Sequence, residues 1–209
     1  MKSNIEEVVM KENKVQEYIK LKLLGCIDDK EKLLKEYSGE ELKGTIGEFV
    51  RKKLDLTIDE YEKIREENDE IILLVKKYYN TEERKEGFGS IENFYKWYIG
   101  QEKKCCYCGI EEKKLKEYFK DENLQYKNAR QRGKILEIER IVTATKEHNV
   151  YSEENCRLAC YICNNAKSDF ISAKNFKPIA KGISKFWIEQ GISTQFNKND
   201  AIWETDIKE

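Results

Sequence analysis

Two cysteine pairs, and a polar cluster lying between them, hold the chemistry available to this chain of 209 residues. Cys105-Cys106-Tyr107-Cys108-Gly109 sets two thiols on a tight turn, and Cys160-Tyr161-Ile162-Cys163 repeats the spacing. Two intervening residues let both thiolates of a pair reach one tetrahedral ion, and four thiolates close the coordination sphere of Zn²⁺. A closed sphere leaves no position for a catalytic water, so such a zinc is a structural clamp. Buried thiols with accidental spacing are the bland alternative, and two matching pairs weigh against it. Cys106 and Cys156 lie beside the pairs as the nearest substitutes, while Cys26 reads as a core residue. Seven cysteines in a chain whose first residues lack an apolar signal core point to metal binding in a reducing cytoplasm and away from disulfides.

Between the pairs, Leu136 to Asp169 holds Glu139-Arg140-Ile141 at the end of an apolar stretch, then Tyr151 in a polar loop. Glu154-Asn155-Cys156 follows, and Cys163-Asn164-Asn165-Ala166-Lys167 opens a helix. This arrangement resembles the HNH, or ββα-metal, endonuclease family in its zinc-knuckle form, over about 65 residues from Cys105 to Asp169. In that family a strand ends in Asp-His, an Asn turns the chain into a second strand, and Cys-x-x-Cys-Asn-x-x-Lys opens the helix. The resemblance implies that Glu139 and Asn164 are ligands of a catalytic metal and that Asn155 is the turn-forming residue. Residue 140 departs from the pattern, because Arg140 stands where the family has the His that activates water. Arginine stays protonated and cannot serve as a general base; it can hold the scissile phosphate and stabilise developing charge. Rare-cutting HNH restriction enzymes are more similar still, with an acidic residue followed by Arg and a Tyr 13 positions before the helical Asn. Tyr151 stands 13 before Asn164, so the resemblance assigns it the water-activating or water-orienting role.

His148, the one histidine, is a competing base with a suitable intrinsic pKa but matches neither pattern. Asn165 competes with Asn164 as ligand or cap, and Lys167 reads as a phosphate contact or a solvated lysine. Oxygen ligands suit Mg²⁺ or Mn²⁺ at the catalytic position, not Zn²⁺. A hard cation there neutralises a phosphodiester and stabilises the leaving oxygen.

The elements that must position these groups follow from periodicity. Residues 135–141 read as a strand with imperfect alternation that places Leu136, Ile138 and Arg140 on one face, Arg157-Leu158-Ala159 can return beside it, and Cys163 onward is helical. Pro178 falls near the start of a last long helix through Ile183, Phe186 and Trp187. Upstream, apolar spacing of three and four marks a series of helices, with caps at Thr45 and Ser90. Two of them, joined by Leu-Asp-Leu-Thr at residues 54–57, read as core-packing helices or as a helix-turn-helix. The expected class is α+β and mostly helical: residues 1–100 a helical region for DNA recognition or dimerisation, 101–190 the zinc-clamped ββα-metal nuclease unit, and 191–209 a C-terminal tail.

Charged residues make up 38% of the chain, yet 3 Trp, 12 Tyr and 8 Phe supply a core and argue against disorder. The net charge of −1 hides an asymmetry. Residues 1–102 carry 19 basic and 24 acidic side chains, and residues 103–209 carry 20 and 16. The basic half is the cysteine half. Lys127, Arg130, Arg132 and Lys134 form an arm without an acid, and Lys174, Lys177, Lys181 and Lys185 repeat along the last helix, both as candidate backbone contacts. The expected partners are double-stranded DNA and a second copy of the chain as a homodimer, with no membrane and a cytoplasmic location. The alternatives are a zinc-structured DNA-binding module with an inactive nuclease site and a zinc-bound protein-interaction adaptor.

Overall fold

The computed structural model describes residues 2–37, 39, 44–120, 133–143, 149–198 and 200–204. It is α+β and mostly helical, and it divides into two compact units. The first comprises residues 1–85 with 89–98, and the second residues 86–88 with 99–209.

The first unit is built from α1 (Lys2–Leu23), α2 (Lys30–Glu36), α3 (Ile46–Lys53), α4 (Ile58–Tyr79), most of α5 (Glu82–Phe88) and most of α6 (Ile91–Gly100). Side-chain oxygens start several of these helices. Asp29 accepts from the first-turn amides of α2, and Thr45–Glu48 and Thr57–Glu60 form reciprocal capping boxes on α3 and α4. α1 packs along α4, with Tyr18, Leu21, Ile64, Ile72 and Val75 buried. Leu54 and Leu56, in the connection between α3 and α4, are core residues. α4 carries seven acidic against four basic residues, poor chemistry for a helix entering a polyanionic groove. Core packing is the reading these residues support.

The second unit holds α7 (Glu112–Tyr118), β1 (Glu137–Arg140), β2 (Cys156–Ala159), α8 (Tyr161–Lys167), α9 (Ala173–Glu189) and α10 (Asp200–Trp203). β1 and β2 pair antiparallel, with Glu137 opposite Ala159, Ile138 opposite Leu158, Glu139 opposite Arg157 and Arg140 opposite Cys156. α8 leaves β2 after one residue and packs on both β1 and α9. The start of β1 is anchored by Glu112 of α7, whose Oε2 accepts from the Leu136 amide at 3.0 Å. Ser172 caps α9 by accepting from the Asn175 amide, and Pro178 lies inside that helix.

The expected tail is part of this unit. The Gln195 amide donates to the Gly109 carbonyl, Asn197 Nδ2 donates to the Cys106 carbonyl at 2.7 Å, and Trp203 is 2% exposed. Apolar burial explains the difference: Phe196 and Trp203 stack at 5.7 Å, and Trp203 meets Tyr107 at 5.6 Å.

Gly109 makes this docking possible. Its φ is +75°, and a Cβ there would lie 1.8 Å from the Gln195 carbonyl oxygen. Gly109→Ala is expected to lower the stability of the second unit by at least about 2 kcal/mol, from strained backbone and lost contact together. Gly191→Ala, at φ +77° with nothing within 4 Å, carries the backbone strain alone and is expected to cost less. Chemical denaturation of the two variants checks the difference.

Candidate active site

Cysteine sulfurs mark one end of the site. The Cys105–Cys108 turn is closed by the Gly109 amide donating to the Cys105 carbonyl at 3.0 Å and the Cys105 amide donating to the Ile110 carbonyl at 2.8 Å. The Cys106 amide donates to the Leu158 carbonyl at 2.8 Å, which fastens the turn to β2. Cys160 is the residue before α8, and Cys163 lies in its first turn. All four sulfurs, Cys105, Cys108, Cys160 and Cys163, are buried and lie within 4.8 Å of one another.

Tetrahedral zinc with bonds of about 2.3 Å requires sulfur–sulfur edges of about 3.8 Å. The Cys108–Cys160 edge is 3.7 Å. Burial raises the Cys105 thiol, but hydrogen bonds from Cys108, Cys160 and Cys163 outweigh it and hold Cys105 well below the usual thiol range. The Cys105 partner in turn pushes Cys160 and Cys163 up. A divalent cation removes that competition by accepting all four thiolates, so the donor set fits a structural metal.

On β1, alternation puts Glu137 and Glu139 on one face, and α8 lies across it. Asn164 and Lys167, three residues apart and so neighbours on the helix, each meet one of these carboxylates. Asn164 Nδ2 donates to Glu137 Oε2 at 2.8 Å. Lys167 Nζ lies 2.9 Å from Glu139 Oε1, and Tyr107 Oη donates to the same oxygen at 3.1 Å.

Lys167 is fully buried, and Nζ also donates to the Arg140 carbonyl at 3.1 Å. This corrects its expected contact with DNA. A buried ammonium needs a counter-charge, and Glu139 supplies it. Glu139 itself is 4% exposed; burial pushes its carboxyl up to about 7 against the opposing pull of Lys167. Glu137, by contrast, is half-buried beside the half-buried Asn164. Sequence reasoning passed over it, although its place two residues before Glu139 on a strand was the available signal. Glu137, Glu139 and Asn164 carry the hard oxygen donors that suit Mg²⁺ or Mn²⁺; α8 joins Asn164 to Glu137, while Glu139 Oε1 is taken by Lys167 and Tyr107. Asn165 is exposed.

Arg140 and Tyr151 are neighbours. The guanidinium carbon lies 4.6 Å from the Tyr151 ring centroid, a cation–π contact, and Nη2 lies 3.3 Å from Asp169 Oδ1. Two features hold Tyr151 there. Asn155 closes the neck of its loop, with Oδ1 accepting from the Val142 amide at 2.8 Å. Its Nδ2 donates to the carbonyls of Val142 and Val150 at 3.0 and 2.8 Å. Gly87 faces the Tyr151 carbonyl so closely that a Cβ would lie 1.5 Å from its oxygen. Gly87 and Asp169 are the further residues that shape the site, and nothing local in the sequence marks Gly87.

Lys134 is exposed, as are Lys174, Lys181 and Lys185 of α9; Lys177 is half-buried, its Nζ 5.6 Å from the Trp203 ring. His148, Lys127, Arg130 and Arg132 lie outside the described residues.

No family model and no curated protein matches the chain. Among solved structures it is similar to the rare-cutting HNH restriction endonuclease PacI, at 28% identity and a TM-score of 0.41. The match covers 60% of this chain and 82% of that one. No helix among the described residues is long and apolar enough to cross a membrane.

The clamp predicts one zinc per chain by elemental analysis. Cys163→Ala is expected to release it and to speed amide exchange in β1 and β2, because structural zinc sites contribute folding energy directly.

Proposed function

We propose that the chain is an HNH-type, metal-dependent endodeoxyribonuclease that hydrolyses phosphodiester bonds in double-stranded DNA, of restriction type and acting as a homodimer. The observation that supports it most is one juxtaposition. A helix opened by two of the four clamp cysteines brings Asn164 onto Glu137 and Lys167 onto Glu139, and the same strand ends in an arginine packed on a tyrosine.

In this reading Cys105, Cys108, Cys160 and Cys163 hold zinc, and Glu139 and Asn164, joined by Glu137, hold Mg²⁺ or Mn²⁺. When bound, that cation neutralises the phosphate and stabilises the leaving oxygen. Arg140 braces a phosphate oxygen through its fixed fork of donors. Tyr151, its ring held by the Arg140 guanidinium, aligns the attacking water. Lys134 and the exposed lysines of α9 contact the DNA backbone, as do Lys127, Arg130 and Arg132 of the basic arm. Two active sites related by a two-fold axis serve the two strands of a duplex.

The test is incubation of the zinc-loaded protein with plasmid and phage DNA in Mg²⁺, Mn²⁺ or EDTA. Wild type is expected to cut only with the divalent ion. Asn164→Ala is expected to lose at least about tenfold in rate or metal affinity, and Tyr151→Phe about 10²-fold or more in rate if the phenol takes a proton. Binding of a broad DNA panel without cutting would replace the enzyme by a zinc-structured binding module.

Gly87→Ala alters no group of the cluster, yet displaces the Tyr151 backbone. Its cleavage rate is expected to fall with retained zinc, in the direction of Tyr151→Phe.

A further inference from the structure

We infer that Tyr107 is a positioning residue that couples the cysteine clamp to the carboxylate of Glu139. The inference rests on the metal site proposed above and names a group that orients one of its ligands.

Tyr107 sits between clamp residues, one position before Cys108, so its backbone is fixed from both sides of the turn. The Cys106 amide ties the turn to β2, and the Asn197 amide donates to the Tyr107 carbonyl at 3.3 Å. Its ring is fully buried, edge-on to Phe176 at 5.1 Å and against Trp203 at 5.6 Å. A ring wedged in this way cannot swing, and its hydroxyl donates to Glu139 Oε1 across 32 residues of sequence.

The second donor to that oxygen, Lys167, lies four residues after Cys163, one helical turn along the same face. Glu139 therefore receives one donor from each arm of the clamp. An ion that draws the two arms together also sets the orientation of the carboxylate, and loss of the clamp frees both donors at once. Groups that hydrogen-bond to a metal ligand fix its orientation, and their removal costs metal affinity about 10–100-fold.

A purely structural tyrosine would fill the same space, and Tyr107→Phe separates the two roles because it keeps the ring and deletes only the hydroxyl. The measurement is Mn²⁺ binding to the zinc-loaded full chain by titration calorimetry or electron paramagnetic resonance, without DNA, beside Asn164→Ala. The expected result for Tyr107→Phe is one zinc per chain, a cooperative thermal transition and Mn²⁺ affinity lowered about tenfold. Where DNA is cut, the Mn²⁺ concentration for half-maximal rate should rise by the same factor, with the maximal rate recovered at high Mn²⁺.

If Asn164→Ala weakens Mn²⁺ while Tyr107→Phe binds it as wild type does, the coupling is overturned and the metal site stands. Loss of zinc from Tyr107→Phe would also overturn it, since the hydroxyl would then serve the clamp. If wild type binds no Mn²⁺, the metal site fails and the coupling with it.

Discussion

A two-stranded sheet with four residues in each strand buries too little to hold itself together, and β1 and β2 are that short. At one end of them lie four cysteine sulfurs placed to hold a structural metal. Structural zinc contributes about 10–16 kcal/mol of apparent binding free energy in small zinc-dependent folds, far more than four ladder residues supply. Here the four cysteines come from a turn hydrogen-bonded to β2 and from the start of α8, so closing the clamp fixes how α8 crosses β1. That crossing decides which side chains meet. Asn164 reaches Glu137 and Lys167 reaches Glu139 only because α8 is held across that face.

Burial then grades the face from wet to dry over one helical turn. Asn164 and Glu137 are half-buried, whereas Lys167 and Glu139 are sealed in the interior. A buried carboxylate that lost its ammonium partner would leave an uncompensated charge, at a cost of about 3–5 kcal/mol. Lys167 thus belongs to the interior architecture of the site and not to its exposed surface. Its carbonyl partners, Arg140 and Ser168, tie the end of β1 to the end of α8 through the same ammonium.

What could be read from the sequence was local chemistry. The cysteine spacing, the strand before Ile141 and the Asn155 turn all follow from residues close in sequence or tied by a repeated pattern. What could not be read came from distant segments closing on one another. A lysine at the end of a polar helix turn gives no sign that it will be buried against Glu139. Tyr107 reads as a spacer between thiols until Glu139 arrives from 32 residues away. Gly87 lies in a helix with no local need for glycine, and only the backbone of Tyr151 explains it. Residues 191–204 look like a tail because their aromatic partners, Tyr107 foremost, lie in the knuckle.

Arginine at position 140 reorganises the proposed chemistry around it. A histidine there would bind or release a proton near neutrality, and one side chain would both meet the phosphate and activate water. Arginine holds a constant charge, so it can serve only the first task, and the second must pass to another group. The geometry keeps that group adjacent: the guanidinium covers the Tyr151 ring while Asp169 takes its other side. A planar cation stacked on the ring restrains the phenol in a way that a flexible ammonium would not. In the proposed division of tasks Tyr151 must be held in place, and Asn155, bonded to Val142 and Val150, and Gly87, which lets the Tyr151 backbone approach, hold it beside Arg140. In the proposed reading, the fixed charge at residue 140 and the packing that holds Tyr151 answer one requirement: a water-holder separate from the phosphate-binding group must be positioned as closely as one histidine would be.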